Sequence, residues 1–466
     1  MNSKLVSLFC CLIMLVSFSG CTKVTQLVKD NQPTKAELLA EINEEHQRWE
    51  AAPAADPTPY LRHYDDPADA QKYFDYITDT YSEYDAEKEL TVEEAEEDVN
   101  YLFDAFYYDF AFYDYFGGHT VFDQTKAEIL QELQAKDNLT CKDLQEVLVK
   151  HLTFIKDGHF NINHNFPAEK EIPFFFRQVM FVKTDSGYQN SKGKTVVSVD
   201  GHPDLDTLFK RSISQEGYLV YYPVLLKEAK FDGTEWDKHV CDEQLTVHYT
   251  DGSTDTLTAD AWRQYYKELP KDQNTDLRQT DGIPVFQFNS FEGSFLQEVN
   301  AAAAQMSDAA ISMLDLRSNV GGYEEVAHQW ITRYSRQRVQ GNGVRYDVVN
   351  PVSVAIQAHR WQTHDNILIL LSGKCSASSA EITMDLAYNL ENSLIIGENT
   401  NGCMIGNGGH VELPNSKCSV IMTSVCVYLL PEGADYFEEM RGLSPDIWVP
   451  AKEAETLAAK LMENLK

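Results

Sequence analysis

The chain has 466 residues, 43% hydrophobic and 11% aromatic, with 39 Lys+Arg against 72 Asp+Glu for a formal charge of −33. That length and apolar content exclude wholesale disorder and allow about three domain-sized units, or one large α/β domain with additions. The acidic surface repels phosphate backbones and anionic lipid, and no local basic stripe offsets it, so the sequence predicts no nucleic-acid partner and no membrane adsorption by charge.

Lys4 precedes an uncharged, mostly apolar run from Leu5 to Phe18, too short for a comfortable membrane span and suited to the h-region of a secretory signal. It ends in Phe18-Ser19-Gly20-Cys21, which resembles the bacterial lipobox, with Phe18 where Leu is usual. The resemblance implies removal of residues 1–20, lipidation of Cys21, a polar tether over 21–35, and a place in the bacterial cell envelope anchored by lipid. An ordinary secretory signal cut near the same place is the plainer alternative. Six further cysteines, Cys141, Cys241, Cys375, Cys403, Cys418 and Cys426, include no CxxC pair, and no His pair has zinc-ligand spacing. Buried thiols or one or two disulfides are expected, with no metal and no organic cofactor.

Residues 36–100 hold 20 acidic side chains against 4 basic ones, which reads as a solvated face. Pro53, Pro57, Pro59 and Pro67 predict short helices joined by extended turns. From Thr91 the acidic first turn and the helical spacing of Leu102, Phe103, Phe106, Phe110 and Tyr113 predict a helix with an aromatic core stripe. Two more helices are expected near 124–136 and 140–154, completing an acidic, mainly helical region over 36–165. A period near two then predicts a β-rich insert over 166–275, with strands at Thr195–Val199 and Leu245–Tyr249 followed by Asp-Gly turns. From about Ile283, short apolar strands at Val285–Phe288, Ile311–Leu316, Ile367–Leu371 and Ser393–Ile396 alternate with helical stretches. This predicts an α/β domain over 276–466 with a mainly parallel sheet.

Two strand-to-turn junctions carry the chemistry. Leu314-Asp315-Leu316-Arg317-Ser318-Asn319-Val320-Gly321-Gly322 ends a strand in paired glycines, whose backbone can approach a ligand and aim N–H groups at an oxyanion. Ile367–Leu371 runs into Ser376-Ala377-Ser378-Ser379-Ala380-Glu381, which presents a serine where a strand turns into a helix. Each alone has a plain reading, a turn in the first case and an N-cap in the second.

Together and in this order they resemble the serine peptidases of the tail-specific (C-terminal processing) and tricorn protease group. Asp315 to Gly322 is similar to that family's Asp-Leu-Arg-x-Asn-x-Gly-Gly, and Ser376 to Glu381 to its Ser-Ala-Ser-Ala-Ser-Glu. Gly397-Glu398-Asn399-Thr400-Asn401-Gly402, Gly442-Leu443-Ser444-Pro445-Asp446 and Asp157-Gly158-His159 resemble three further motifs. The resemblance implies a ClpP/crotonase-like α/β fold, a polypeptide substrate and an acyl-enzyme mechanism with Ser378 as nucleophile. Where the tail-specific branch has its catalytic Lys, this chain has Cys403. The tricorn-like branch uses an upstream His and a Glu near the C-terminus, which implies His159 as base, Glu439 as its carboxylate, and N–H groups of Ser379 and of Gly321 or Gly322 as the oxyanion hole. Arg317 reads as an internal ion-pair partner. The insert carries Ser198-Val199-Asp200-Gly201-His202-Pro203, loosely similar to part of a PDZ domain, without a carboxylate-binding loop. The rival expectation is a peptidase-like protein that binds peptides or apolar ligands without cleaving them.

Overall fold

The computed structural model describes residues 25–465 except 51, 54, 231–237, 271, 350–360 and 425; the expected leader and Cys21 lie outside the described residues. Thr34 opens helix α1 (Lys35–Gln47) with a capping box, its hydroxyl accepting the Glu37 N–H while Glu37 accepts the Thr34 N–H. The prolines then hold the chain to two 3₁₀ turns, Thr58–Tyr60 and Pro67–Lys72. Thr91 and Glu94 repeat the capping box at α2 (Val92–Asp109). Every residue of the expected aromatic stripe is buried, with Phe110 and Tyr113 lying just past the helix end. Helices α3 (Gly118–Gln134) and α4 (Cys141–His151) complete this layer.

After the short β1 (Asn161–Ile162), the insert is built from β2 (Lys170–Phe175), β3 (Phe181–Thr184), β4 (Gly187–Asn190), β5 (Val196–Val199), β6 (Phe209–Ile213), β7 (Leu219–Ala229), β8 (Gln244–Tyr249) and β9 (Thr254–Thr258). One antiparallel sheet runs β2-β7-β3-β4 with β6 also on β7, and a second runs β5-β8-β9. They share one apolar core, which includes Phe174, Phe209, Val247 and Trp262.

The remaining chain gives β10 (Thr275–Thr280), β11 (Ile283–Phe288), α5 (Leu296–Met306), β12 (Ile311–Asp315), α6 (Glu324–Ser335), β13 (Val344–Asp347), β14 (Ile367–Ser372), α7 (Ser379–Ala387), β15 (Ser393–Gly397), β16 (Asn407–Glu412), β17 (Ser419–Ser424), β18 (Cys426–Leu429), β19 (Phe437–Glu438), β20 (Gly442–Leu443), β21 (Ile447–Trp448) and α8 (Ala454–Asn464). The main sheet has the order β10-β11-β12-β14-β15-β21, parallel throughout except for the β10–β11 hairpin. β14 is buried at all six positions, as a strand covered on both faces must be. One face packs on α5, α6 and α7; the other packs on α8 and on Leu38 and Ile42 of α1. Each fully buried aliphatic side chain there stabilises by about 1.5–3 kcal/mol.

The alternation expected from Ile283 onward is therefore present. The strands between 403 and 443 are additional to it. The β16–β17 hairpin joins β1 in a small sheet, and β13 pairs with β18. Their buried side chains share one core with the aromatics of α2 to α4. The register Asn161↔Ile421 docks the chain just after His159 against β17. The six described cysteines are unpaired.

Candidate active site

Because β12, β14 and β15 are parallel, their C-terminal ends open on one edge of the sheet, where ligand sites of such folds form. The turn after β14 carries Ser378 at φ 53° and ψ −116°, a left-handed backbone that a non-glycine residue adopts only when its surroundings hold it there. The surroundings are visible: Ala377 N–H donates to Asn319 O at 2.9 Å, and Ser378 N–H donates to the Glu381 carboxylate at 3.0 Å. The Ser378 hydroxyl is thereby aimed out of the turn, and its Oγ lies 3.2 Å from Nε2 of His159.

His159 follows α4 and sits 11% exposed. Burial holds its imidazole below the usual range and so favours the neutral ring; Asp157 opposes this shift, and Lys170 adds to it. Asp157 is buried, with Oδ1 accepting from the His159 N–H at 3.0 Å and the Thr423 hydroxyl at 2.9 Å, and Oδ2 from the Thr423 N–H at 2.9 Å. Its Oδ1 is 3.9 Å from His159 Nδ1.

Glu439 accepts the Gly158 N–H at 2.9 Å and the Ile405 N–H at 3.3 Å. Burial, with Asp157 and Glu381 close by, pushes its carboxyl well above the ordinary range. A ligand-type atom of Asp157, of His159 and of Glu439 all lie within 4.8 Å of one another, so the three groups are brought together. Both carboxylates are engaged by the protein's own N–H and O–H donors, and we assign no metal to them. No hydrogen bond joins Glu439 to His159, whose Nδ1 has no partner among the described residues.

Of the three expected oxyanion donors, Ser379 is the first residue of α7, where a helix has no internal acceptor for its N–H. Its hydroxyl donates to Gly322 O at 2.7 Å and ties the serine turn to the glycine pair. Gly321 has φ +98°, and a Cβ there would come within 2.9 Å of the Ser378 Cβ. Its N–H is taken by Asn319 Oδ1 at 2.8 Å, which leaves Gly322 as the better second donor. Gly322 has φ +129°, and a Cβ on it would lie 2.6 Å from Phe291 O, so neither glycine can be replaced without strain.

Cys403, at the place of the missing Lys, is buried with its thiol pushed well above the ordinary range, which makes it a poor nucleophile. Arg317 is 2% exposed and bidentate on Asp315, at 2.8 and 2.7 Å, as expected of an internal ion pair.

Residues 282–449 match the family model of Peptidase family S41. This stretch is an S41 peptidase domain. No curated protein sequence matches the chain significantly. Among solved structures, mature CPAF is 12% identical with a TM-score of 0.42, over 80% of this chain and 96% of that one. The photosystem II D1 C-terminal processing protease is 14% identical with a TM-score of 0.37, over 80% of this chain and 97% of that one. A lipoprotein from Streptococcus agalactiae is 11% identical with a TM-score of 0.37, over 82% of this chain and all of that one. The S41 domain contains Ser378, Glu439 and the glycine pair, whereas His159 comes from the helical region before it.

Several residues at the site had no role in the sequence reading. Glu381 closes a Ser-x-x-Glu pattern that signals a capping box. Its carboxylate also takes the N–H groups of Gly402 at 2.7 Å and Cys403 at 3.0 Å. Lys374 donates to Thr400 O and, at 3.0 Å, to Arg441 O. Burial lowers its ammonium to about 7. Lys170 and Asn401 carry no local signal, since only the fold brings them here.

Proposed function

We propose that the protein is an exported serine endopeptidase, held at the cell envelope through a lipid on Cys21, which cleaves polypeptides by a Ser378-His159-Glu439 acyl-enzyme mechanism. The observation that carries this reading is the 3.2 Å approach of Ser378 Oγ to His159 Nε2 from a strained turn at a helix N-terminus. Neutral His159 accepts the hydroxyl proton as Ser378 attacks the scissile carbonyl, then returns it to the leaving amine. The N–H groups of Ser379 and Gly322 receive the oxyanion, each worth about 3 kcal/mol of transition-state stabilisation. Glu439 is brought close to the imidazole, a ligand-type atom of each lying within 4.8 Å of the other. Glu439 orients the imidazole, and its ionised form, which a neighbouring imidazolium favours, offsets the charge that His159 gains from the Ser378 proton. Among the described residues no helix is long and apolar enough to cross a membrane, and the lipid on Cys21 supplies the anchor.

The unpartnered Nδ1 of His159 favours a second reading, a peptidase-like protein that holds peptides without cleaving them. Fluorophosphonate labelling of the mature protein separates the two. Labelling of wild type that is lost in Ser378→Ala and His159→Ala, with folding intact by circular dichroism, supports the enzyme. A well-folded wild type that takes no label supports the binding protein.

A further inference from the structure

Lys170 begins β2 of the insert, yet its side chain leaves that sheet and ends in the catalytic centre, with the residue only 1% exposed. Its ammonium donates to Gly158 O at 2.9 Å and to Asn401 Oδ1, and lies 4.6 Å from the centre of the Phe166 ring. A buried ammonium is costly unless hydrogen-bonded, and here the acceptors belong to two loops that build the site. The same Gly158 gives its N–H to Glu439, so the peptides on either side of this glycine are gripped, one by a carboxylate and one by an ammonium. Gly158 has no room to shift: a Cβ on it would lie 1.9 Å from Gly402 O and 2.6 Å from the Cys403 Cβ. The base of Lys170 is fixed as well, because the next residue donates its N–H to Met440 O at 3.1 Å and accepts from the Asn399 amide at 3.0 Å.

We propose that Lys170 is the positioning residue for His159, delivered by the insert: it clamps the Gly158 carbonyl, sets the peptide that enters His159, and holds the imidazole against Ser378. This deepens the peptidase reading and rests on it for the role of His159. The charged and titratable groups facing His159 are Asp157 on its own loop, Glu381 on α7, Glu439 before β20 and Lys170 on β2. Lys170 is the cation of this set, so its removal both frees the Gly158 peptide and lets the imidazole take up a proton more readily.

The test uses the full mature chain with ¹³C-labelled histidine. The His159 ring is followed by NMR against pH, and fluorophosphonate labelling rates are measured beside it. Lys170→Met is expected to raise the His159 midpoint and slow labelling by about 100-fold, the cost of an ångström-scale misplacement. Lys170→Arg, which keeps the charge, is expected to restore the midpoint. Lys183→Met, which removes a lysine paired with Asp206 at the surface of the insert, is expected to change neither. If Lys170→Met does not fold, Lys170→Gln keeps a donor for Gly158 without the charge and is expected to raise the midpoint too. Slower labelling with an unmoved midpoint overturns the proposal in favour of a purely structural lysine, and so does a variant that matches wild type in both readouts. A wild type that takes no label defeats the peptidase reading, while the imidazole titration still decides the clamp.

Discussion

Glu381 accepts the backbone N–H of Ser378 at 3.0 Å, and the same carboxylate takes the N–H groups of Gly402 and Cys403. One fully buried side chain therefore fixes both the turn that bears the proposed nucleophile and the loop that passes beneath it. Glu381→Ala strands four donors, these three N–H groups and the Thr400 hydroxyl, at about 1–3 kcal/mol each, so a loss of at least about 4 kcal/mol is expected in urea unfolding. Labelling of the folded fraction should also fall, because Ser378 loses what holds its left-handed backbone. A variant as stable as wild type would show that other contacts carry the turn.

The ionisation of His159 gives a pH signature. Burial lowers its folded-state value below the usual 6.5. Between that lowered value and about 6.5 the unfolded chain binds more protons than the native one, so this group makes stability fall as pH drops below about 6.5. The labelling rate depends on neutral imidazole, so its acid limb should have a midpoint below 6.5. A midpoint at or above 6.5 in pH-dependent labelling would show that Asp157 outweighs burial.

The α/β alternation, the helical region and the serine-bearing turn were legible because they rest on local signals: period, caps, and glycines or serines at strand ends. The approach of His159 to Ser378 was legible only through motif order, since 219 residues separate them and no periodicity links them. The strands at 407–429 were not read. Asn407-Gly408-Gly409-His410 has little strand character of its own, and the segment takes its form from the aromatic surface of α2 to α4. Lys170 was invisible for the same reason: its acceptors lie 12 and 231 residues away, and nothing in its flanking sequence distinguishes it from a surface lysine.

Lys374 offers a stability measurement that does not involve activity. Its folded value of about 7 lies far below the 10.5 of a free lysine. The unfolded chain therefore binds more protons between these values, and stability rises with pH above 7 by up to about 1.4 kcal/mol per unit. Glu398, whose carboxyl is raised to about 7, acts below that range, and the buried thiols act above about 9. Between pH 7 and 8.5 the raised Glu439 carboxyl opposes the lysine, so the lysine is isolated by the difference between wild type and Lys374→Met in urea unfolding. Lys374→Met should flatten the slope even though it takes the donor from the Thr400 carbonyl, while the Arg441 carbonyl keeps the Asn399 amide; a slope that survives the substitution assigns the effect elsewhere.

The carboxylate that serves His159 is decided by comparing Glu439→Gln with Asp157→Asn. Asp157 already accepts three hydrogen bonds, two from Thr423 and one from the His159 backbone, and these fix it to β17. Glu439 accepts one backbone N–H on each oxygen and keeps lone pairs free for the imidazole. Asp157→Asn is therefore expected to cost stability, about 1–3 kcal/mol for the disrupted donors, while labelling of the folded protein stays within about tenfold of wild type. Glu439→Gln is expected to cut labelling by up to about 10⁴-fold, the loss that follows when the carboxylate orienting a catalytic histidine becomes an amide. The opposite pattern, with labelling intact in Glu439→Gln and lost in a folded Asp157→Asn, would transfer the role to Asp157 and leave Glu439 as a holder of the Gly158 peptide.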